Sequence, residues 1–159
     1  MDFDLFLKAN ELGIKLEITA GTYSWETMPV VRHQKTIDRI RASIQQTRPD
    51  CNCIHYADVY VSFPDGSLKR PDISIFCREP DEQDQAVTLL PEAVIEIISE
   101  GYEAKDLEIN PSFYLSQGIK DVIVYDPQTT FVLHARKDGR KTFTTSQTFR
   151  LECGCEVNV

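Results

Sequence analysis

The chain has 159 residues, 42% apolar and 26% charged, with only seven glycines and eight prolines; this excludes disordered, collagen-like and low-complexity chains and fits a single domain, 1–159, with a core of its own. The net charge of -8 excludes a generic nucleic-acid coat, because phosphate binding needs Lys and Arg to release counterions, but it leaves room for a local basic face or a metal-assisted phosphate site. No apolar run approaches a membrane span, the start MDFDLF lacks the basic region of a signal peptide, and five cysteines without an export signal point to free thiols in a reducing cytoplasm.

Phe3, Leu5, Phe6, Leu7 and Leu12 predict a helix over 2–11, which Gly13 ends. KLEIT (15–19) predicts a short strand, with Gly21 in the turn after it. Tyr23 and Trp25 are expected to be packing residues. Ile37, Ile40 and Ile44 recur at helical spacing and predict the clearest helix, over 30–47. Arg32, Lys35 and Arg39 fall on its opposite side, His33 falls on the isoleucine side, and Arg48-Pro49-Asp50 stops it. HYADVYVSF (55–63) predicts a strand with Ala57, Val59, Val61 and Phe63 on one face. The turn PDGS (64–67) would join it to PDISIF (71–76) as a hairpin.

EPDEQDQ (79–85) is a solvated loop. EAVIEIIS (92–99) and DVIVYD (121–126) are apolar on both faces and predict central strands. Between them Asn110, Pro111 and Gly118 frame a helix, and Pro111 argues that DLEI (106–109) does not run on into it. FVLHARKDGRKTFTT (131–145) predicts a hairpin turning at Asp138-Gly139. The sum is a mixed sheet of about five to seven strands with three helices, α/β or α+β in class.

Glu96 stands out. Alternation places Val94, Glu96 and Ile98 on one face of a strand that is apolar on both. A carboxylate there needs a cation, a metal or a hydrogen-bond network, and a structural ion pair would serve. Asp72 follows Pro71 at the start of the neighbouring strand, where ligands meet a sheet, although a turn-forming Asp is also common there. Two such carboxylates aimed at one face would make an oxygen-rich site of the kind Mg²⁺ prefers.

Pro71-Asp72, Glu96 in its apolar strand, Lys105-Asp106 and FYLSQGIKDVIVYDP together resemble the PD-(D/E)XK nuclease superfamily, and more closely its Uma-type family of restriction endonucleases. The resemblance implies a restriction-endonuclease-like mixed sheet flanked by helices, endonucleolytic phosphodiester hydrolysis with Mg²⁺ or Mn²⁺, DNA as substrate, and a homodimer. It implies that Asp72 and Glu96 are catalytic metal ligands, that Glu17 is a third and weaker ligand, and that His33 stands close to the site. The chain departs from the pattern at the lysine. Ile98 occupies the usual position and Asn110 the migrated one, which leaves Lys105 as the nearby cation for catalysis. The departure keeps open an alternative, a nuclease fold that has lost catalysis and serves as a binding or interaction module.

On their own, Arg32, Lys35 and Arg39 read first as the solvated face of a helix and second as a phosphate-backbone contact. Cys51-x-Cys53 and Cys153-x-Cys155 are spaced more tightly than the usual structural zinc pairs. Buried thiols are therefore the expectation, with zinc as the other reading.

Overall fold

The computed structural model describes residues 3–27 and 30–159; Asp2, expected to open the first helix, lies outside them. The chain begins with helix α1 (Phe3–Glu11) and the hairpin β1 (Ile14–Thr19) and β2 (Thr22–Thr27). Helix α2 (Val31–Ser43) follows, then β3 (Gln45–Gln46), β4 (Ile54–Ala57), β5 (Val61–Ser62), β6 (Leu68–Lys69), β7 (Ile73–Phe76) and β8 (Ala93–Ile97). A π-helical segment (Lys105–Ile109) leads into helix α3 (Asn110–Ser116). The chain ends with β9 (Asp121–Tyr125), β10 (Val132–Arg136), β11 (Gly139–Phe143), β12 (Thr148–Arg150) and β13 (Cys155–Asn158).

Six strands form the central sheet in the order β11-β10-β9-β8-β7-β4. Its pairs are antiparallel except β8 with β9. A parallel pair needs a crossover, and here the π segment and α3 supply it. Every residue of β8 and β9 is buried, as expected of strands covered on both faces. On one face Ile95, Ile97 and Ile123 pack with Ile37 and Ile40 of α2 and with Phe149 and Val157 of the C-terminal strands. On the other, Val94 and Val122 pack with Phe113 and Tyr114 of α3. Among the described residues a mixed α+β fold with three α-helices is thus as expected.

Four local expectations change. The predicted strand over 55–63 is broken at Asp58, whose φ of +55° interrupts the pleat; Asp tolerates that conformation better than most residues. β5 therefore turns through PDGS to pair with β6, while β7 pairs with β4 and β8. The hairpin is β5–β6, and the chain changes sheet on either side of it. Secondly, residues 105–109 do run on into α3. They do so as a wider π turn in which the Asn110 N–H donates to Lys105 O, five residues back, and Pro111 then sits in the first turn of α3, where its missing donor matters least.

Thirdly, α2 stops at Ser43 because Gln45 and Gln46 pair with β13, which builds an unexpected sheet ordered β12-β13-β3. Fourthly, Trp25 is exposed rather than packed, while Tyr23, also exposed, stacks on Phe6 of α1, both on the face of the hairpin that carries Leu16 and Ile18.

Candidate functional site

The site forms where the edge of β1 meets the starts of β7 and α2 and the end of β8. β1 turns Lys15 and Glu17 inward, and both are buried. Glu17 accepts from Lys69 Nζ (2.7 Å) through one oxygen and from the Arg70 N–H (2.7 Å) through the other. Lys69 is fully buried and also donates to Asn110 Oδ1 at 3.0 Å. Lys15 Nζ lies 3.1 Å from Glu26, its register partner on β2, and 3.4 Å from Asp72 Oδ1.

Asp72 and Glu96 meet crosswise. The Asp72 N–H donates to Glu96 Oε2 at 3.3 Å, and the Ile97 N–H donates to Asp72 Oδ2 at 2.7 Å. Asp72 Oδ1 also contacts His33 Nε2 at 3.1 Å, and His33 Nδ1 lies 3.4 Å from Ser99 Oγ. Glu96 Oε1 accepts from the Tyr114 hydroxyl (2.7 Å) and from Asn110 Nδ2 (3.4 Å). From the π segment, Lys105 Nζ reaches Glu26 at 2.8 Å, Asp106 at 3.6 Å and Glu17 at 3.8 Å.

Electrostatics divide these acids into two groups. Burial would raise Glu17, but Lys69, Lys15 and Lys105 overcome it and bring the carboxyl down to about 2. Burial likewise opposes ionisation of Asp72, and Lys15 and His33 hold it below the ordinary carboxylate range. Glu96 goes the other way: burial, then the charge of Asp72, push it up to about 8. Asp106 is raised to about 7 by burial, with Glu26 and Asp72 adding to the rise against the pull of Lys105. Lys15 is raised well above its ordinary value, because the charges of Asp72, Glu17 and Glu26 outweigh the burial that would lower it.

Asp121 provides a contrast. It is fully buried, bonds His134, Arg136 and the Glu152 N–H, and is lowered despite its burial. Asp121 is a completed structural ion pair. Glu96 and Asp106 belong to a cluster short of positive charge.

Lys15, Glu26, His33, Asp58, Asp72 and Asp106 line a recess of about 10 Å³, close to the least that admits one water. Glu96 stands behind that recess rather than on its wall. Asp72, Glu96 and Asp106 offer hard oxygens of the type a divalent cation takes, but among the described residues these carboxylates are not drawn together as a ligand group.

The structure thus brings Asp72, Glu96 and His33 together, while Lys105 stands beside them in ion pairs with Glu26, Asp106 and Glu17. Both Glu17 oxygens are bonded, to Lys69 and to the Arg70 N–H, so Glu17 sits in the same cluster as a counter-ion to lysines. Ile98 packs apolar against Val124 and Leu133. Lys15, Lys69 and Tyr114 escaped the sequence reading. The available signal was Lys15 and Glu17 sharing one face of a strand whose other face carries Leu16 and Ile18.

No curated protein matches the chain. A crystal structure of a putative nuclease belonging to DUF820 from Anabaena variabilis is similar to it with a TM-score of 0.66 and 22% identity, over 91% of this chain and 84% of that one. That likeness shows a shared fold. The family Uma2, described as "putative restriction endonuclease", matches residues 3–153, nearly the whole chain. The chain belongs to the Uma2 family of restriction-endonuclease-like proteins.

Proposed function

We propose that this protein is an endonuclease that hydrolyses phosphodiester bonds in DNA with Mg²⁺ or Mn²⁺, the ion being held by Asp72 and Glu96. The observation that carries the proposal is the crosswise meeting of these two acids from adjacent strands, beside a recess where acids outnumber their cations. When bound, such an ion makes a coordinated water nucleophilic near neutral pH and offsets charge on the phosphate oxygens. Hydrolysis would join a water oxygen to phosphorus and break the P–O ester bond, the leaving oxygen taking up a proton in balance with the one the attacking water loses.

The chain's own residues supply the rest. Tyr114 and Asn110 orient the Glu96 carboxylate. His33 and the Ile97 N–H fix Asp72. Lys105 is the cation that orients the water and balances developing charge in place of the missing motif lysine. Glu17 keeps Lys69 and Lys105 in position. Arg32, Lys35 and Arg39 are exposed on the helix that sends His33 into the recess, so a phosphate backbone lying along α2 leads to Asp72.

The test is cleavage of plasmid DNA with Mg²⁺ or Mn²⁺ by the wild type, Asp72→Asn and Glu96→Gln. Loss of cleavage in both folded variants is expected, and undiminished cleavage by either would overturn the assignment.

A second reading is a binding module without catalysis. Asn110 in the migrated lysine position, with Lys15 and His33 both on Asp72 Oδ1, favours it. That reading would be supported by DNA binding with no cleavage in any divalent metal.

A further inference from the structure

The cysteines form a second cluster, at the other end of β7 from Asp72. Asp72 precedes this strand and Cys77 follows it. The Sγ atoms of Cys51, Cys53, Cys153 and Cys155 all lie within 4.8 Å of one another. Cys51 Sγ is 3.2 Å from Cys53 Sγ and 3.7 Å from Cys155 Sγ, and Cys53 and Cys155 are in direct sulfur contact with Cα atoms 6.4 Å apart. Four thiolates around zinc at about 2.3 Å stand about 3.8 Å apart along the edges of a tetrahedron. Apart from the Cys53–Cys155 contact, the observed cluster has that scale.

The one-residue spacing has a geometric answer. Residues 51–53 run without regular structure and 152–154 form a turn with Gly154 at φ +95°, and both segments deliver their two sulfurs to the same four-sulfur cluster. The turns that position them are built for it. The Cys51 N–H donates to Arg48 O, the Gly154 N–H to Leu151 O, and the Leu151 N–H to Cys155 O. Gly154 has φ +95°, and a Cβ there would come within 2.2 Å of Arg48 Cδ, so the residue between Cys153 and Cys155 has to be glycine. Cys51, Cys153 and Cys155 are buried, and Cys77 Sγ lies 3.4 Å from Cys51 Sγ at the margin of the cluster.

We propose that Cys51, Cys53, Cys153 and Cys155 form a tetrathiolate site for a structural zinc ion, which ties the C-terminal sheet to the start of β4. This site is independent of the nuclease proposal, because it shares no residue with the Asp72–Glu96 cluster.

The experiment is elemental analysis and thiol counting on the full chain purified from zinc-supplemented medium. About one zinc per chain is expected. Co²⁺ exchange should give the visible spectrum of a tetrahedral thiolate complex, and a chelator should lower the melting temperature. Cys155→Ser should lose about tenfold or more of the bound zinc, while Cys77→Ser and Asp72→Asn keep it. If Cys155→Ser does not fold, the wild-type stoichiometry and the Co²⁺ spectrum still decide. Less than about half an equivalent of zinc in the wild type would overturn the proposal. So would three reactive thiols in the denatured, unreduced chain, since that count means a Cys53–Cys155 disulfide instead.

Discussion

The Asp72 backbone N–H points at the Glu96 carboxylate, and the Ile97 N–H, one residue past Glu96, points back at the Asp72 carboxylate. Each acid is thereby fixed by the other's strand. Moving β7 against β8 by one residue would break both hydrogen bonds at once, so the sheet register itself sets the spacing of the two carboxylates.

Glu96 gives a pH signature. Its folded pKa of about 8 lies above its ordinary value, so its contribution to stability is fully present below about 4.5 and is lost as pH rises toward 8. Asp106, raised to about 7, acts in the same sense. Melting curves of wild type and Glu96→Gln in metal-free buffer should show the variant gaining relative stability from about pH 5 to pH 8, by a few kcal/mol at most. A constant offset across that range would contradict it.

Divalent metal should reverse that trend. Cation binding requires ionised carboxylates, so Mg²⁺ affinity should rise with pH through about 7 to 8, the range in which Asp106 and Glu96 ionise. Calorimetric titration at two pH values, with proton uptake or release read from buffers of different ionisation enthalpy, is the check. Protons should be released on binding.

Lys69 and Glu17 are a buried pair whose separate removal is costly. Lys69→Met removes the nearest cation from buried Glu17, leaving Lys105 at 3.8 Å, and should destabilise the fold by up to about 3–5 kcal/mol. The double variant Lys69→Met/Glu17→Gln should recover part of that loss. Denaturant unfolding of the four chains in the cycle measures the coupling.

Lys105→Met should lower the cleavage rate by about 10²-fold or more if this ammonium balances charge in the transition state. Glu26, Asp106 and Glu17 surround it, and burial of the stem is preserved by Met. Single-turnover kinetics at saturating DNA separate this effect from binding.

Replacing Arg32, Lys35 and Arg39 with Ser should weaken DNA binding and flatten its salt dependence, the logarithmic slope falling by about 0.9 for each phosphate that is no longer neutralised. All three side chains are exposed on α2, so the fold should survive apart from the stacking of Arg39 over Tyr125. Binding isotherms at several salt concentrations give the slope, and a slope equal to that of the wild type would place the DNA elsewhere.

The central strands were legible because VIEII and VIVY are continuous apolar runs with no competing period. Glu96 drew notice because it interrupts an apolar strand, Asp72 because it follows Pro71 at a strand start, and His33 through the family resemblance. Lys15 drew none. A short strand with Leu16 and Ile18 on one face reads as apolar-in and polar-out, and only the packing of β1 against the starts of β6 and β7 buries its charged face. β3, β12 and β13 are short, β3 is wholly polar, and it pairs with β13 across more than a hundred residues of chain, so no local signal announced them. The break at Asp58 was hidden because the alternation Ala57, Val59, Val61 continues through it.

The π segment adds one residue per turn over an ordinary α-helix at the point where the crossover passes Glu96. Were one residue deleted from 105–109, the winding would revert to α, and Lys105 and Asp106 would swing about 100° around the axis relative to Asn110 and Tyr114. The extra residue thus sets the phase between two pairs of polar side chains, and chain length in this crossover governs the charge environment of Glu96 as directly as amino-acid identity does.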